Sequence, residues 1–208
     1  MAIAVLPLQS VTYKDSEAIE SVEDVLYNLK SKKYNPSSIL KLSILNCKKL
    51  QIIVSIIEFS NLKKLDLSGS NISGKRLNAV VNKGWAKKTL THLTLRGCHQ
   101  IKKIHFVCAL EKLRKLNLSH CSKLEEIHFS RSCNSLQVLL LDHCNALKGI
   151  WVHPTLKRLI SLSAINCKQL EDKYPNGKGG MCSIFTLLFP NLKSYKNIEE
   201  EKEDWVKV

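Results

Sequence analysis

One short frame recurs along this chain of 208 residues, and it restricts the fold more than any other feature. An apolar residue, two variable residues, an apolar residue, one variable and another apolar residue are followed by two variable residues, Cys, two variable residues and a last apolar position. The copies read Ile39, Leu42, Ile44, Cys47, Leu50; Leu90, Leu93, Leu95, Cys98, Ile101; Leu113, Leu116, Leu118, Cys121, Leu124; Leu136, Leu139, Leu141, Cys144, Leu147; and Leu159, Leu162, Ala164, Cys167, Leu170. A sixth copy, Leu62, Leu65, Leu67, Ser70, Ile72, carries Ser in place of Cys, with its last apolar residue one position early. Frame starts at 39, 62, 90, 113, 136 and 159 are separated by 23, 28, 23, 23 and 23 residues, a regularity that a globular core has no reason to produce.

The middle of the frame has period two, so it predicts a short strand whose Leu side chains point into the coil, and the next two apolar positions turn the chain back. One coil cannot bury its own apolar face. Stacked coils can, with their strands pairing as a parallel sheet around one continuous core. This is the wording of a leucine-rich repeat. It predicts an α/β solenoid of about six repeats plus caps, with a curved parallel sheet on the concave face and short helices and turns on the convex face.

The domain plan follows from where the frame starts and stops. Residues 1–38 read as an N-terminal helical cap, because Ile19, Val22, Val25, Leu26 and Leu29 fall at helical spacing behind a cluster of acids. The repeats occupy 39–172, a C-terminal cap 173–198, and a charged tail 199–208. The longer interval from 62 to 90 holds Leu77, Val80, Val81 and Trp85 at helical spacing, which predicts an extra convex helix. A second landmark recurs six residues after Cys, at Ile53, Ile104, Ile127 and Ile150; three of these open Ile-His-Phe, Ile-His-Phe and Ile-Trp-Val and form the returning side of the coil.

Composition narrows the function classes. Coils and caps consume nearly all of the chain, which leaves no room for a catalytic domain. No apolar run approaches a membrane span, and Met1–Leu8 lacks the basic region and cleavage site of a secretory signal, so the expected setting is cytoplasmic or nuclear. The ladder of Cys47, Cys98, Cys121, Cys144 and Cys167 reads as reduced thiols packed inside successive turns, each offering a weak hydrogen bond to neighbouring backbone. The net charge is +14, and the acids gather at the two ends, which leaves a strongly basic body. Such a body attracts acidic partners by its field; no nucleic-acid motif accompanies it, so a protein is the expected partner, with nucleic acid left open by the basic body, and the chain is expected to be a monomer.

Residues alternating with the buried Leu point out of the concave sheet. The first column is Lys41, Lys64, His92, Lys115, Val138 and Ser161; the middle is Ser43, Asp66, Thr94, Asn117, Leu140 and Ser163; the third is Leu45, Ser68, Arg96, Ser119, Asp142 and Ile165. Lys41, Lys64, His92, Arg96, Lys115 and Asn117 make a basic and polar stretch, and Val138, Leu140 and Ile165, with Asp142 among them, turn the face apolar. A solvated sheet has no need of Val or Leu, so Lys41, Lys64, His92, Arg96, Lys115, Asn117, Val138, Leu140, Asp142 and Ile165 are the candidate protein-binding residues. No triad order, paired acids or phosphate loop accompanies them, and the chain reads as a non-enzyme without a cofactor. His105 and His128, and likewise His120 and His143, stand 23 residues apart on neighbouring coils, but neither pair has a third ligand in the frame, so no metal site is expected.

The string Leu113-Arg-Lys-Leu116-Asn-Leu118-Ser-His-Cys121-Ser-Lys-Leu124-Glu-Glu-Ile127 resembles the cysteine-containing repeats of plant intracellular nucleotide-binding disease-resistance receptors, over about residues 39–170. The repeats of F-box ubiquitin-ligase adaptors are similar, and a microbial effector acting on host proteins is a third reading. The chain has no phosphate-binding loop, and no F-box is evident in 1–38. The resemblance therefore implies only the role of the repeats, recognition of a protein.

Overall fold

The computed structural model describes residues 9–51, 53–81, 88–106, 110–129, 133–152, 156–173, 194–196 and 206–207. Strands β2 (Lys41–Leu45), β3 (Lys64–Asp66), β4 (His92–Thr94), β6 (Lys115–Asn117), β8 (Val138–Leu140) and β10 (Ser161–Ser163) fall on the six copies of the frame and pair in parallel, joined by five turns of a solenoid. Every residue of the six frames is buried, from Ile39 to Leu170, in one continuous core. The period-two spacing aims these side chains inward, and each coil becomes stable only by covering the next.

The sheet extends past the frame at both ends. Strand β1 (Ser10–Lys14) pairs in parallel with β2, and β11 (Ser194–Lys196) pairs in parallel with β10. The last strand, β12 (Val206–Lys207), runs antiparallel to β11. Residues assigned from sequence to an N-terminal helical cap thus hold a strand as well as a helix, α1 (Val22–Ser31), which runs between two paired strands as the connecting side of an additional turn. A capping box starts α1: Ser21 Oγ accepts from the Asp24 N–H at 3.3 Å, and the Asp24 carboxylate accepts from the N–H groups of Ser21 and Glu20 at 2.8 and 2.9 Å. Its buried stripe is Val22, Val25, Leu26 and Leu29, with Ile19 just ahead of it.

Among the described residues, helices are few on the convex side. Short helices return the first two coils, at Val54–Glu58 and in the long interval, whereas the third to fifth coils return through a second parallel sheet of β5 (Lys103–Phe106), β7 (Glu126–Phe129) and β9 (Gly149–Val152). The physical reason lies in the Ile-His-Phe words, whose alternation of apolar and polar residues suits a half-buried strand. Ile104, Phe106, Ile127, Phe129 and Ile150 face the core, and Phe106 stacks on Phe129 at 5.3 Å between ring centroids. Helix α2 (Gly74–Val81) fills the long interval with Leu77, Val80 and Val81 buried; Trp85 lies outside the described residues, as do Cys108, Cys182 and most of the C-terminal cap and tail. Among the described residues, no helix is long and apolar enough to cross a membrane.

Helix α2 also protects the edge of the second sheet. Asn78 Oδ1 accepts from the His105 N–H at 3.1 Å, and Gly74 approaches so closely that any Cβ there would overlap the Lys103 carbonyl oxygen. An unpaired edge N–H is thereby satisfied and β5 is closed to another strand.

Two ladders tie the coils together. In the first, thiols donate backward: Cys98 to Leu67 O at 3.2 Å, Cys121 to Leu95 O at 3.1 Å, Cys144 to Leu118 O at 3.1 Å and Cys167 to Leu141 O at 3.0 Å. Burial pushes the Cys121 thiol up to about 12, with neighbouring Cys98 adding to the effect, and raises Cys98 and Cys144 as well. In the second, the residue before each Cys or Ser position is left-handed: Asn46, Gly69, Gly97, His120, His143 and Asn166, with φ between 54° and 72°. Only Gly, Asn, His and similar residues enter that region readily. The turn aims each N–H forward, from Asn46 to Ser68 O, Gly69 to Arg96 O, Gly97 to Ser119 O, His120 to Asp142 O and His143 to Ile165 O, at 2.6–2.9 Å.

Candidate protein-interaction face

The strand register places the outward columns as continuous rows. Lys41, Lys64, His92, Lys115, Val138 and Ser161 are successive partners across the large sheet, and Ser43, Asp66, Thr94, Asn117, Leu140 and Ser163 form the next row. Residues of the third column end β2 at Leu45 and in the later coils lie at the turn that follows the strand, where their carbonyls receive the left-handed N–H groups.

Burial along the rows is uneven. Lys41, Lys64 and Arg96 are exposed, and His92, Lys115, Asn117, Val138, Leu140 and Asp142 are half-buried. Ile165 is only 9 % exposed, so it offers little surface to a partner; the sheet continues beyond its strand through β11. Ser43 and Ser163, at the two ends of the middle row, are buried too.

Polar members of the face are held by local bonds. Asn117 Oδ1 accepts from the Ser119 N–H at 2.9 Å, and Asp142 Oδ1 accepts from Ser163 Oγ at 2.5 Å and from the Ile165 N–H at 3.0 Å. Arg96 reaches His120 Nε2 at 3.2 Å, and the His120 ring stacks on that of His143 at 4.5 Å. The latter pair therefore serves the left-handed turn and the stack. Thr91 Oγ1 meets His92 Nδ1 at 2.9 Å. Partial burial, together with Lys64 and Lys115 on either side, depresses the basicity of His92 below the ordinary histidine range.

This electrostatic arrangement has little chemistry in it. The cations repel protonation of His92, the carboxylate of Asp142 is engaged by backbone and hydroxyl donors, and the apolar pair Val138 and Leu140 sits beside them. Among the described residues of this face, no nucleophile is aligned with a base. The arrangement suits contact with another surface.

Residues 25–132, slightly more than half of the chain, match the model of a plant protein family described as the At1g61320/AtMIF1 LRR domain. The chain belongs to that family. For this At1g61320/AtMIF1-type repeat, a solved structure gives the same architecture: the leucine-rich repeat domain of the type III effector XCV3220 (XopL) superposes with a TM-score of 0.60 at 16% identity, covering 92% of this chain and 69% of that one. At that identity the likeness is one of fold. No curated protein matches the sequence. The At1g61320/AtMIF1 match begins inside α1 and ends after β7, so the family wording covers the basic half of the face, while Val138, Leu140 and Asp142 lie beyond it.

Sequence reasoning missed Glu126. It lies two residues before His128 on β7, hence on the same outward side, and its carboxylate meets His128 Nε2 at 3.1 Å and Lys103 Nζ at 2.9 Å. The period-two spacing of Glu-Ile-His was the available signal.

Proposed function

We propose that this chain is a non-catalytic protein-binding module that docks a partner on the face of its large sheet, centred on Val138 and Leu140. One observation carries the reading. These two apolar side chains stand half-buried side by side where the preceding coil has Lys115 and Asn117 and the next has Ser161 and Ser163. An apolar pair with polar counterparts in register on both sides is surplus to the stack, whose core is built from the inward residues. The lysines Lys41, Lys64 and Lys115 beside it favour a partner with an acidic rim, which they would steer to the face.

The match to a plant family supports a plant setting, and within it the module serves recognition in a disease-resistance-type protein, as a monomer in the cytoplasm or nucleus. The test is capture of partners from plant extract by the intact chain and by the Val138→Lys, Leu140→Asn double variant, which copies the side chains of the preceding coil at the same register. The double variant is expected to keep the thermal midpoint of the parent and to lose the partner. Capture that persists in a folded double variant would sink this reading.

A further inference from the structure

On the opposite side of the molecule from that face, the second sheet gathers three metal-ligating side chains. His105 of β5 and His128 of β7 are register partners with ring centroids 4.3 Å apart, and Glu126 lies on the same outward side of β7. One ligand atom from each of His105, Glu126 and His128 lies within 4.8 Å of the others. We propose that these residues form a binding site for a divalent transition-metal ion of the zinc class.

The geometry is close to what such an ion requires. Two tetrahedral zinc ligands at about 2.0–2.1 Å from the metal stand roughly 3.3 Å from each other. Glu126 Oε2 and His128 Nε2 are already 3.1 Å apart, so an ion can replace the proton between them with little movement. The His105 ring is tilted 39° from His128, and a rotation of that exposed ring brings in the third nitrogen. A fourth position is left open to water.

The surroundings fix what supports the site. Lys103 holds the other carboxylate oxygen at 2.9 Å, and so orients Glu126 as an outer partner orients a ligand. Trp151 stacks on the far face of His128, nearly parallel at 5° and 4.6 Å, and is 41 % exposed. The Asn78 side chain accepts from the His105 backbone N–H and so holds that residue from the edge. The two imidazole donors select Zn²⁺ or Cu²⁺ over Mg²⁺ and Ca²⁺, while the positive charge of Lys103 lowers the affinity for all of these ions alike.

The experiment is calorimetric titration of the full chain with ZnCl₂ at pH 7.5, alongside His105→Ala and Glu126→Gln, with Mg²⁺ as a control. Long-range proton–nitrogen spectra of the imidazoles report which rings bind. Uptake of one zinc per chain is expected, with both His105 and His128 signals shifting, no uptake of Mg²⁺, and a loss of affinity of about ten-fold or more in each variant. Both substitutions are on the outward side of the sheet, and the circular dichroism spectrum checks that the variants keep the parent fold. No uptake at millimolar zinc, or uptake that the two variants leave unchanged, would overturn the site and leave His105, His128 and Trp151 as a stacking ladder alone.

Discussion

The left-handed column makes a quantitative prediction, because two of its glycines differ in a single respect. Gly97 has φ 68°, and a Cβ added there would meet only Gly69 backbone at 3.9 Å, an ordinary contact. Gly97→Ala is therefore charged only with the left-handed conformation, about 1–2 kcal/mol, partly offset by the stiffer unfolded chain at roughly 0.4–1 kcal/mol. The net is a loss of about 1 kcal/mol, and Gly97→Asn should recover most of it, since Asn tolerates this region. Gly69 has φ 72°, but a Cβ there would overlap Asn46 Oδ1 and stand 3.2 Å from Asn46 Cα. Displacing that amide breaks its 3.0 Å bond to Asp15. With the overpacking, Gly69→Ala should cost about 2–3 kcal/mol. Urea unfolding followed by far-ultraviolet circular dichroism measures all three, provided the slope of the transition is unchanged. If Gly97→Asn proved as damaging as Gly97→Ala, or Gly69→Ala no worse than Gly97→Ala, the backbone argument would be wrong.

Two other outcomes follow from the same structure. Partial desolvation raises the Asp24 carboxyl, but the N–H groups of Ser21 and Glu20 outweigh it and bring the group below the ordinary carboxylate range. A depressed carboxylate stabilises above its unfolded value and loses that contribution as pH falls through its folded value, so Asp24→Asn should cost about 1 kcal/mol at pH 7 and almost nothing near pH 2, read from urea midpoints at both. The buried, weakly acidic ladder thiols should resist iodoacetamide in the native chain at pH 8 and label only over the urea range in which the sheet unfolds, as seen by peptide mass spectrometry; rapid native labelling of Cys121 or Cys144 would contradict their placement.

How far the sequence could be read depended on whether a residue's role is set by period or by neighbours. Leu113, Leu116, Leu118 and Cys121 disclose their burial because every coil repeats the same demand. The rows from Lys41 to Ser161 follow from alternation alone. Strand β1 was hidden because Val11 and Tyr13 stand outside the frame, and its pairing partner is about thirty residues away. The second sheet was visible as a return path in Ile104, Ile127 and Ile150, but that three such paths pair depends on neighbouring backbone. Glu126 escaped because the histidines were compared at the repeat step of 23 and not along their own strand. Asn46, Gly69, Gly97, His120, His143 and Asn166 stood in plain view before each Cys or Ser; what linked them was a torsion angle, which letters do not show.

The two ladders run in opposite senses, thiols bonding to the coil before and turn N–H groups to the coil after, so each coil in the middle of the stack presents the same sockets to both neighbours. Such a coil is interchangeable with its neighbours in an evolutionary sense. Duplicating the 23 residues from Leu113 to Ser135 inserts one more rung, lengthens the sheet by about 4.8 Å, and disturbs neither end. The antiparallel β12 interrupts the parallel run at one end. Length, and with it the span of whatever surface the face can cover, is then a quantity that unequal recombination can adjust without any change to the core.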